Sequence, residues 1–430
     1  MPSRQYIVTN FAYGTGPYLH TTELAIAFND ELERRGRERS AIIVPLVYGE
    51  RQRAVMREEF ASFLRARPEE IVLDENLGMM LREIFYDGTA DYAVSLARWI
   101  ERVRDTAARA HEHLSGTFAV HAFDGTERVV DGRQIIIEMS RSPRLRFDIA
   151  PAYSTTFGFL SDIFTRALRE PPGAIAIPAD VLQQGIESAE WVEQGQRMHA
   201  VGFPGTFTPL ENAARQAAGS SGSIHTRDSM PCVSSLTGFT GDLPPTTYHL
   251  QPTTFLTPPL TSQQPKTAAP LEKPGILVTV TGIAGLERLY TEATDLGLAI
   301  YSTTEGVPPG SMRMPPDVIV DSNIVFQFAR AGWGSIWLSL TTGVPIVVPA
   351  FDPVDDPEIY FNNKMIERLG IGIVYRGEPL SELTGRLPSV CVAMETLRTC
   401  IFERWGTLDG HSVSAARFVE DFLRSDGGVQ

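Results

Sequence analysis

Between Phe328 and Pro349 the chain runs Phe-Ala-Arg-Ala-Gly-Trp-Gly-Ser-Ile-Trp-Leu-Ser-Leu-Thr-Thr-Gly-Val-Pro-Ile-Val-Val-Pro. This reads as a strand, a tight glycine loop, a short helix, a turn and a buried strand. A strand–helix–strand alternation this close belongs to a parallel sheet. Ser335 is expected to cap the helix and Gly343 to end it, while Val344-Pro345 stops it and launches Ile346-Val-Val348. The loop from Arg330 to Ser335 sets a cation, bare backbone amides and a hydroxyl at a helix N-terminus, which suits a diphosphate. The same residues also describe a plain tight turn with glycine for close packing.

The rhythm recurs on both sides of this stretch. Near the N-terminus a strand at Tyr6-Ile-Val-Thr9 leads through Tyr13-Gly-Thr-Gly-Pro17 into a helix. Leu24, Phe28 and Leu32 share one face of it, and Gly36 follows its end. Ala41-Ile-Ile-Val-Pro45 then reads as the next strand, so the chain opens on a βαβ unit. A long helix is expected over Asp91 to Leu114, and short buried strands at Ile135-Ile-Ile-Glu138 and Ala174-Ile-Ala-Ile-Pro178. Later come a strand at Gly275 to Val280, a turn at Thr281-Gly-Ile-Ala-Gly285, a helix from Leu286 to Leu296 and a strand at Leu298 to Tyr301. Asp317 to Val320 and Ile324 to Phe328 are further strand candidates.

At 430 residues the chain exceeds what one core supports, so two domains are expected. From Gly205 to Lys273 the composition turns to Pro, Thr, Ser, Gln and Gly with few charges. Such a segment buries too little apolar surface to offset its ordering entropy, and it reads as linker or disordered insertion. The expected division is therefore an N-terminal domain 1–204, a linker 205–273 and a C-terminal domain 274–430. A net charge of −14 repels phosphate backbones and anionic lipid, which argues against nucleic-acid binding. Cys232, Cys391 and Cys400 form no C-x-x-C pair, which argues against a disulfide framework or structural zinc. With no signal-like start and no apolar run of about 20 residues, a cytoplasmic protein without a membrane span is expected.

The Phe328–Pro349 segment resembles the donor-binding signature of GT-B glycosyltransferases, in which "[HR]-x-G-…-G-[VL]-P-…-P" precedes an acidic stretch. Arg330, Gly332 and Gly343-Val344-Pro345 stand at the matching spacing. Arg330-Ala-Gly332 is similar to bacterial lipid-precursor GlcNAc transferases, and Trp333 to the plant-type UDP-glycosyltransferases. Asp356-Pro357-Glu358 with Asn362-Asn363 resembles the "D-Q-P-x-N-A" element that contacts the donor sugar. The resemblance implies two Rossmann-like domains facing each other across a cleft. It also implies hexosyl transfer from a UDP- or dTDP-sugar to a hydroxyl acceptor, inverting, with no cofactor and no metal. The acceptor and the oligomeric state are not specified. One position departs from the pattern: the family's ribose-binding Glu, eight residues after the Arg, is Leu338 here. A sugar-nucleotide epimerase of the same fold, or a degenerate homologue that activates a partner transferase, therefore stay open.

What the resemblance implies for single residues follows. Arg330, Gly332, Trp333, Gly334 and Ser335, with Thr281 and Gly282 from the turn after the first C-terminal strand, would bind the donor diphosphate. Asp356 and Glu358 would read sugar hydroxyls. Gly14, Thr15 and Gly16 form the acceptor-side glycine loop, which fits neither the dinucleotide fingerprint nor the P-loop. His20 is the local match for the general base, although the plant-type position falls at Pro17. Glu138, at the end of a parallel strand, would orient that base or be the base itself. His111 and His113 read as surface residues, and Asp352, Asp355 and Asp356 as a weak oxygen-ligand cluster.

Overall fold

The computed structural model describes residues 4–11, 14–84, 91–207, 254–261, 270–279, 287–303 and 308–426. Among these, two sheets carry the architecture. The first contains β1 (Tyr6–Phe11), β2 (Ala41–Pro45), β3 (Ile71–Asp74), β4 (Thr117–Ala122), β5 (Glu127–Asp131), β6 (Ile135–Arg141), β7 (Ala152–Thr156), β8 (Met198–Gly202) and β9 (Thr254–Thr257). Their spatial order is β5-β4-β3-β2-β1-β6-β7-β8-β9. β1, β2 and β3 are buried along their whole length, as expected of parallel strands covered on both faces. β4 and β5 add an antiparallel hairpin at one edge, and β4 alternates exposed and buried residues accordingly.

The second sheet contains β10 (Gly275–Val278), β11 (Ala299–Ser302), β12 (Met312–Arg313), β13 (Ile324–Phe328), β14 (Ile346–Pro349) and β15 (Gly372–Tyr375). Its order is β12-β11-β10-β13-β14-β15, and every pair is parallel. In both sheets the first strand of the unit sits in the middle, with its sequence neighbour on one side and a later strand on the other. That is the doubly wound pattern, and it fixes a switch point between β1 and β6 and another between β10 and β13.

Several expectations change. Ala174–Pro178 is irregular, because no strand there offers it a ladder; Ala176 instead donates its amide to the Pro353 carbonyl of the other half. Asp317–Val320 lies in a 3-10 turn over Pro316–Val320, started by the Pro315-Pro316 pair. Much of 205–273 lies outside the described residues, but its later part includes β9, which pairs in parallel with β8. Its threonines suit a sheet edge, so composition alone misassigns them.

The C-terminal helix Gly410–Asp426 does not stay with the second sheet either. It packs on the Thr15–Arg34 helix, and Ala415, Phe418, Val419 and Phe422 join the core of the first. Phe28 and Phe422 meet edge to face with ring centroids 6.0 Å apart. The halves are also tied near Trp337, whose indole N–H donates to the Pro204 carbonyl at 2.7 Å. A Cβ at Gly202 would lie 2.5 Å from that ring, so only glycine permits the approach.

His111 and His113 are not free surface groups. They bond to the Phe147 carbonyl and the Asp74 carboxylate, each at 2.8 Å. Cys391 is an exposed free thiol, while Cys400 is disulfide-bonded, which the low and odd cysteine count did not suggest. No helix among the described residues is long and apolar enough to cross a membrane.

Candidate functional site

Ligands of doubly wound sheets bind beyond the carboxyl ends of the strands at the switch point. Here the two switch points supply opposite walls of one cleft. From the first sheet come the start of the Thr15–Arg34 helix, which follows β1, and Arg141 at the end of β6, paired in register with Phe11. From the second comes the Trp333–Thr342 helix, which follows β13.

On the first wall Gly14 holds φ +112°, a conformation that favours glycine, and its amide donates to the Tyr48 hydroxyl at 2.8 Å. Thr15 opens the helix. Gly16 leaves room for the His20 ring, which a Cβ there would meet at 3.7 Å. His20 Nδ1 lies 2.9 Å from Glu23 Oε2, one helical turn on. Because an ionised carboxylate only accepts, Nδ1 carries the proton and the Nε2 lone pair is left outward.

Burial, then the charge of Arg141, moves His20 below its usual pKa, and the pull of Glu23 only partly offsets this. The imidazole is therefore neutral near pH 7. Burial works to raise Glu23, but His20 first, then His411 and Arg141, outweigh it and bring the carboxyl to about 2. His411 comes from the distant C-terminal helix, is fully buried, and stands 3.7 Å from Glu23. Burial pushes it down to about 3.

Glu138, expected to orient the base, does something else. Its carboxylate accepts from Asn10 Nδ2 at 3.4 Å and from the Phe147 amide at 3.2 Å, and His20 is not among its contacts. Burial raises it to about 7. The carboxylate hydrogen-bonded to His20 is Glu23.

On the second wall the helix N-cap is Gly332, not Ser335, and no side chain caps it. Ser335 lies one turn in, where its amide bonds back to the Gly332 carbonyl at 3.0 Å. The loop tightens through a Gly332 amide to Arg330 carbonyl bond, which moves the helix start forward. Gly343 does end the helix, with φ +80°. Trp333 is buried, and its indole N–H is shared between Asn362 Oδ1 at 2.7 Å and Thr206 Oγ1 at 2.9 Å. A Cβ at Gly332 would meet nothing within 4 Å, so the N-terminus borders open space. A Cβ at Gly334 would lie 3.6 Å from His20 Nε2 and 4.0 Å from Arg141 Nη2. The sequence-predicted base and the sequence-predicted anion loop thus meet.

The acidic element forms a separate cluster beside them. Arg330 pairs with Asp355 through Nε at 3.1 Å and through Nη2. Asp356 caps the Pro357–Leu369 helix by accepting from the Glu358 amide at 2.9 Å. Glu358 accepts from Asn362 Nδ2 at 2.9 Å. Burial raises both Asp356 and Glu358, and at Glu358 the neighbouring Asp356 charge acts in the same direction, while Arg144 and Arg330 pull the other way. Thr281 and Gly282 lie outside the described residues.

Three functional candidates escape the sequence reading. Glu23 had a readable signal, its place three residues past His20 on one helix face. Arg141 and His411 had none, since strand register and the crossing of the C-terminal helix bring them in. Among the described residues His20, Glu23 and His411 are the one group whose metal-competent atoms all lie within 4.8 Å of one another. The buried guanidinium of Arg141 stands beside them and opposes a cation.

Two doubly wound sheets with their switch points opposed across one cleft are the GT-B fold, and this chain has that fold. It is similar to the glycosyltransferase SnogD from Streptomyces nogalater at 14% identity, with a TM-score of 0.51 over 98% of this chain and 100% of the other. Phytolacca americana UGT2, complexed with UDP-2fluoro-glucose and pterostilbene, shares 12% identity with a TM-score of 0.53 over 98% and 99%. Medicago truncatula UGT71G1, complexed with UDP-glucose, shares 14% with a TM-score of 0.52 over 97% and 98%. No family model matches the sequence, and no curated protein matches it significantly.

Proposed function

We propose that this chain is a glycosyltransferase that moves a hexosyl group from a UDP- or dTDP-sugar to an acceptor hydroxyl, with inversion and without a metal. The observation that carries the reading is the approach of His20 Nε2 to the Gly334 position at the N-terminus of the Trp333–Thr342 helix. A neutral imidazole with its lone pair in the cleft takes the acceptor proton as the acceptor oxygen bonds to the anomeric carbon. The bond from that carbon to the diphosphate breaks, and the electron pair leaves on the phosphate oxygen. The amides at the helix start and the Ser335 hydroxyl receive that charge, so no metal is required. Glu23 holds the His20 tautomer and stabilises the imidazolium. Asp356 and Glu358 face the donor sugar from beside Arg330, and the protein works as a soluble cytoplasmic enzyme.

The test is a donor screen with UDP- and dTDP-sugars against a panel of hydroxyl acceptors, comparing wild type with His20→Ala. Product formation that survives His20→Ala at the wild-type rate would sink the assignment. One observation favours a second reading, a degenerate homologue that activates a partner. Leu338 packs against the apolar cluster of Leu277, Val318 and Ile319, so its position offers no carboxylate to a ribose. Calorimetry with UDP and dTDP separates the two, because the degenerate reading expects no binding.

A further inference from the structure

Arg141 is only 4% exposed, yet its hydrogen bonding among the described residues is a single long bond, Nη1 to the Leu260 carbonyl at 3.4 Å. No carboxylate lies within ion-pair distance of it among those residues; Glu23 and Glu358 act on it from further away. A guanidinium has five N–H donors, and burying one with most of them unsatisfied is costly. Its position is nevertheless rigid, because the Trp337 ring lies 5.4 Å beneath it and is itself pinned by Pro204. Nη2 points to within 4.0 Å of the Gly334 Cβ position. There the ten-residue Trp333–Thr342 helix begins without a side-chain cap, and the Trp333 and Gly334 amides have no acceptor among the described residues. Arg330, the cation that the sequence pattern points to, is committed to Asp355 and is 47% exposed.

We infer that Arg141, rather than Arg330, is the anion-binding cation of the cleft, and that with the Trp333 and Gly334 amides it holds a phosphate of a nucleoside diphosphate. The choice of a nucleotide rests on the glycosyltransferase reading; the anion site rests on the geometry alone. Burial lowers Arg141 only to about 10, so the group stays charged at neutral pH. The anion then bridges the two sheets, since Arg141 comes from β6 and the amides from the helix after β13.

The experiment is calorimetry on the full chain with UDP, inorganic pyrophosphate and uridine, for wild type, Arg141→Gln, Arg141→Lys and Arg330→Gln. Arg141→Gln is expected to weaken UDP and pyrophosphate at least about 30-fold, the loss of a buried charge-assisted pair, and to leave uridine unchanged. Arg141→Lys, which keeps the charge without the fork, falls between and guards against a folding defect in the glutamine variant. Arg330→Gln changes UDP affinity by less than about 3-fold, the ordinary size for an exposed pair. Equal losses for UDP and uridine, a larger effect at Arg330, or no pyrophosphate binding by wild type would overturn the assignment. Arg141-dependent pyrophosphate binding without any nucleoside diphosphate binding would keep the anion site and refute the transferase reading instead.

Discussion

Gly334→Ala separates stability from function in opposite directions. The added Cβ would lie 3.6 Å from His20 Nε2, 4.0 Å from Arg141 Nη2 and no nearer to anything else, which is ordinary van der Waals contact. Gly334 sits in the first turn of the Trp333–Thr342 helix without positive φ, so alanine fits the backbone. Replacing a helical glycine stabilises by about 0.5–1 kcal/mol, less at an end, so the melting temperature rises by roughly 1–2 °C. In the proposed transfer, however, the methyl group fills the gap where the acceptor oxygen and the anomeric carbon meet the base. Displacing reacting atoms by about 1 Å costs on the order of 100-fold in rate, and kcat/KM should fall by about that much. Calorimetric melting and steady-state transfer kinetics on the same preparation test both halves. Wild-type kcat/KM would show that the His20–Gly334 gap is not where the reaction occurs. A melting temperature lowered by several degrees would show that the gap is packed, and the geometric argument would fail with it.

Glu23→Gln removes the charge that supports the His20 imidazolium, so kcat/KM should drop by about 100-fold, within the usual range for general-base catalysis. Because Glu23 raises the His20 pKa, the acid limb of the pH–rate profile should also move to lower pH; an unmoved limb would deny the pairing. Glu138 has a folded pKa of about 7 against an ordinary 4.5, so its favourable contribution is complete below pH 4.5 and is lost as pH rises through 7. Urea unfolding should therefore show the stability of Glu138→Gln relative to wild type improving by about 3 kcal/mol between pH 4 and pH 8, with transfer activity kept. Gly202→Ala forces a Cβ to 2.5 Å from the Trp337 ring and should cost about 1–3 kcal/mol of stability, read by thermal unfolding; an unchanged melting temperature would contradict the close packing.

The sequence already carried much of this. β1, the helix after it, β2, β13, the Trp333–Thr342 helix and β14 lie where hydrophobic periodicity and glycine positions put them. Each is a local element whose apolar spacing and stop signals sit within one short stretch. β7 and β8 escaped because their residues are polar and small: Ser154, Thr155, Thr156 and His199 are buried but do not read as a core run. The reverse error at Ala174–Pro178 has the same origin, since a short apolar run does not say whether a neighbouring strand exists to pair with it. His20 and the Arg330–Ser335 loop were legible because residue type, glycine spacing and a helix start coincide in a few residues.

The Phe328–Pro349 run and the opening βαβ unit therefore determined, without any structure, that the chain forms doubly wound α/β units with a glycine loop at a helix N-terminus. Tertiary structure alone decided which charges stand at that N-terminus. Arg330 is neutralised by Asp355, Glu138 turns to Asn10 and the Phe147 amide, and Glu23, Arg141 and His411 gather around His20. The physical reason is the reach of the interactions: backbone propensity and capping act over a few residues, whereas a site on two opposed sheets is set by strand register and by one helix that crosses from the end of the chain to its beginning.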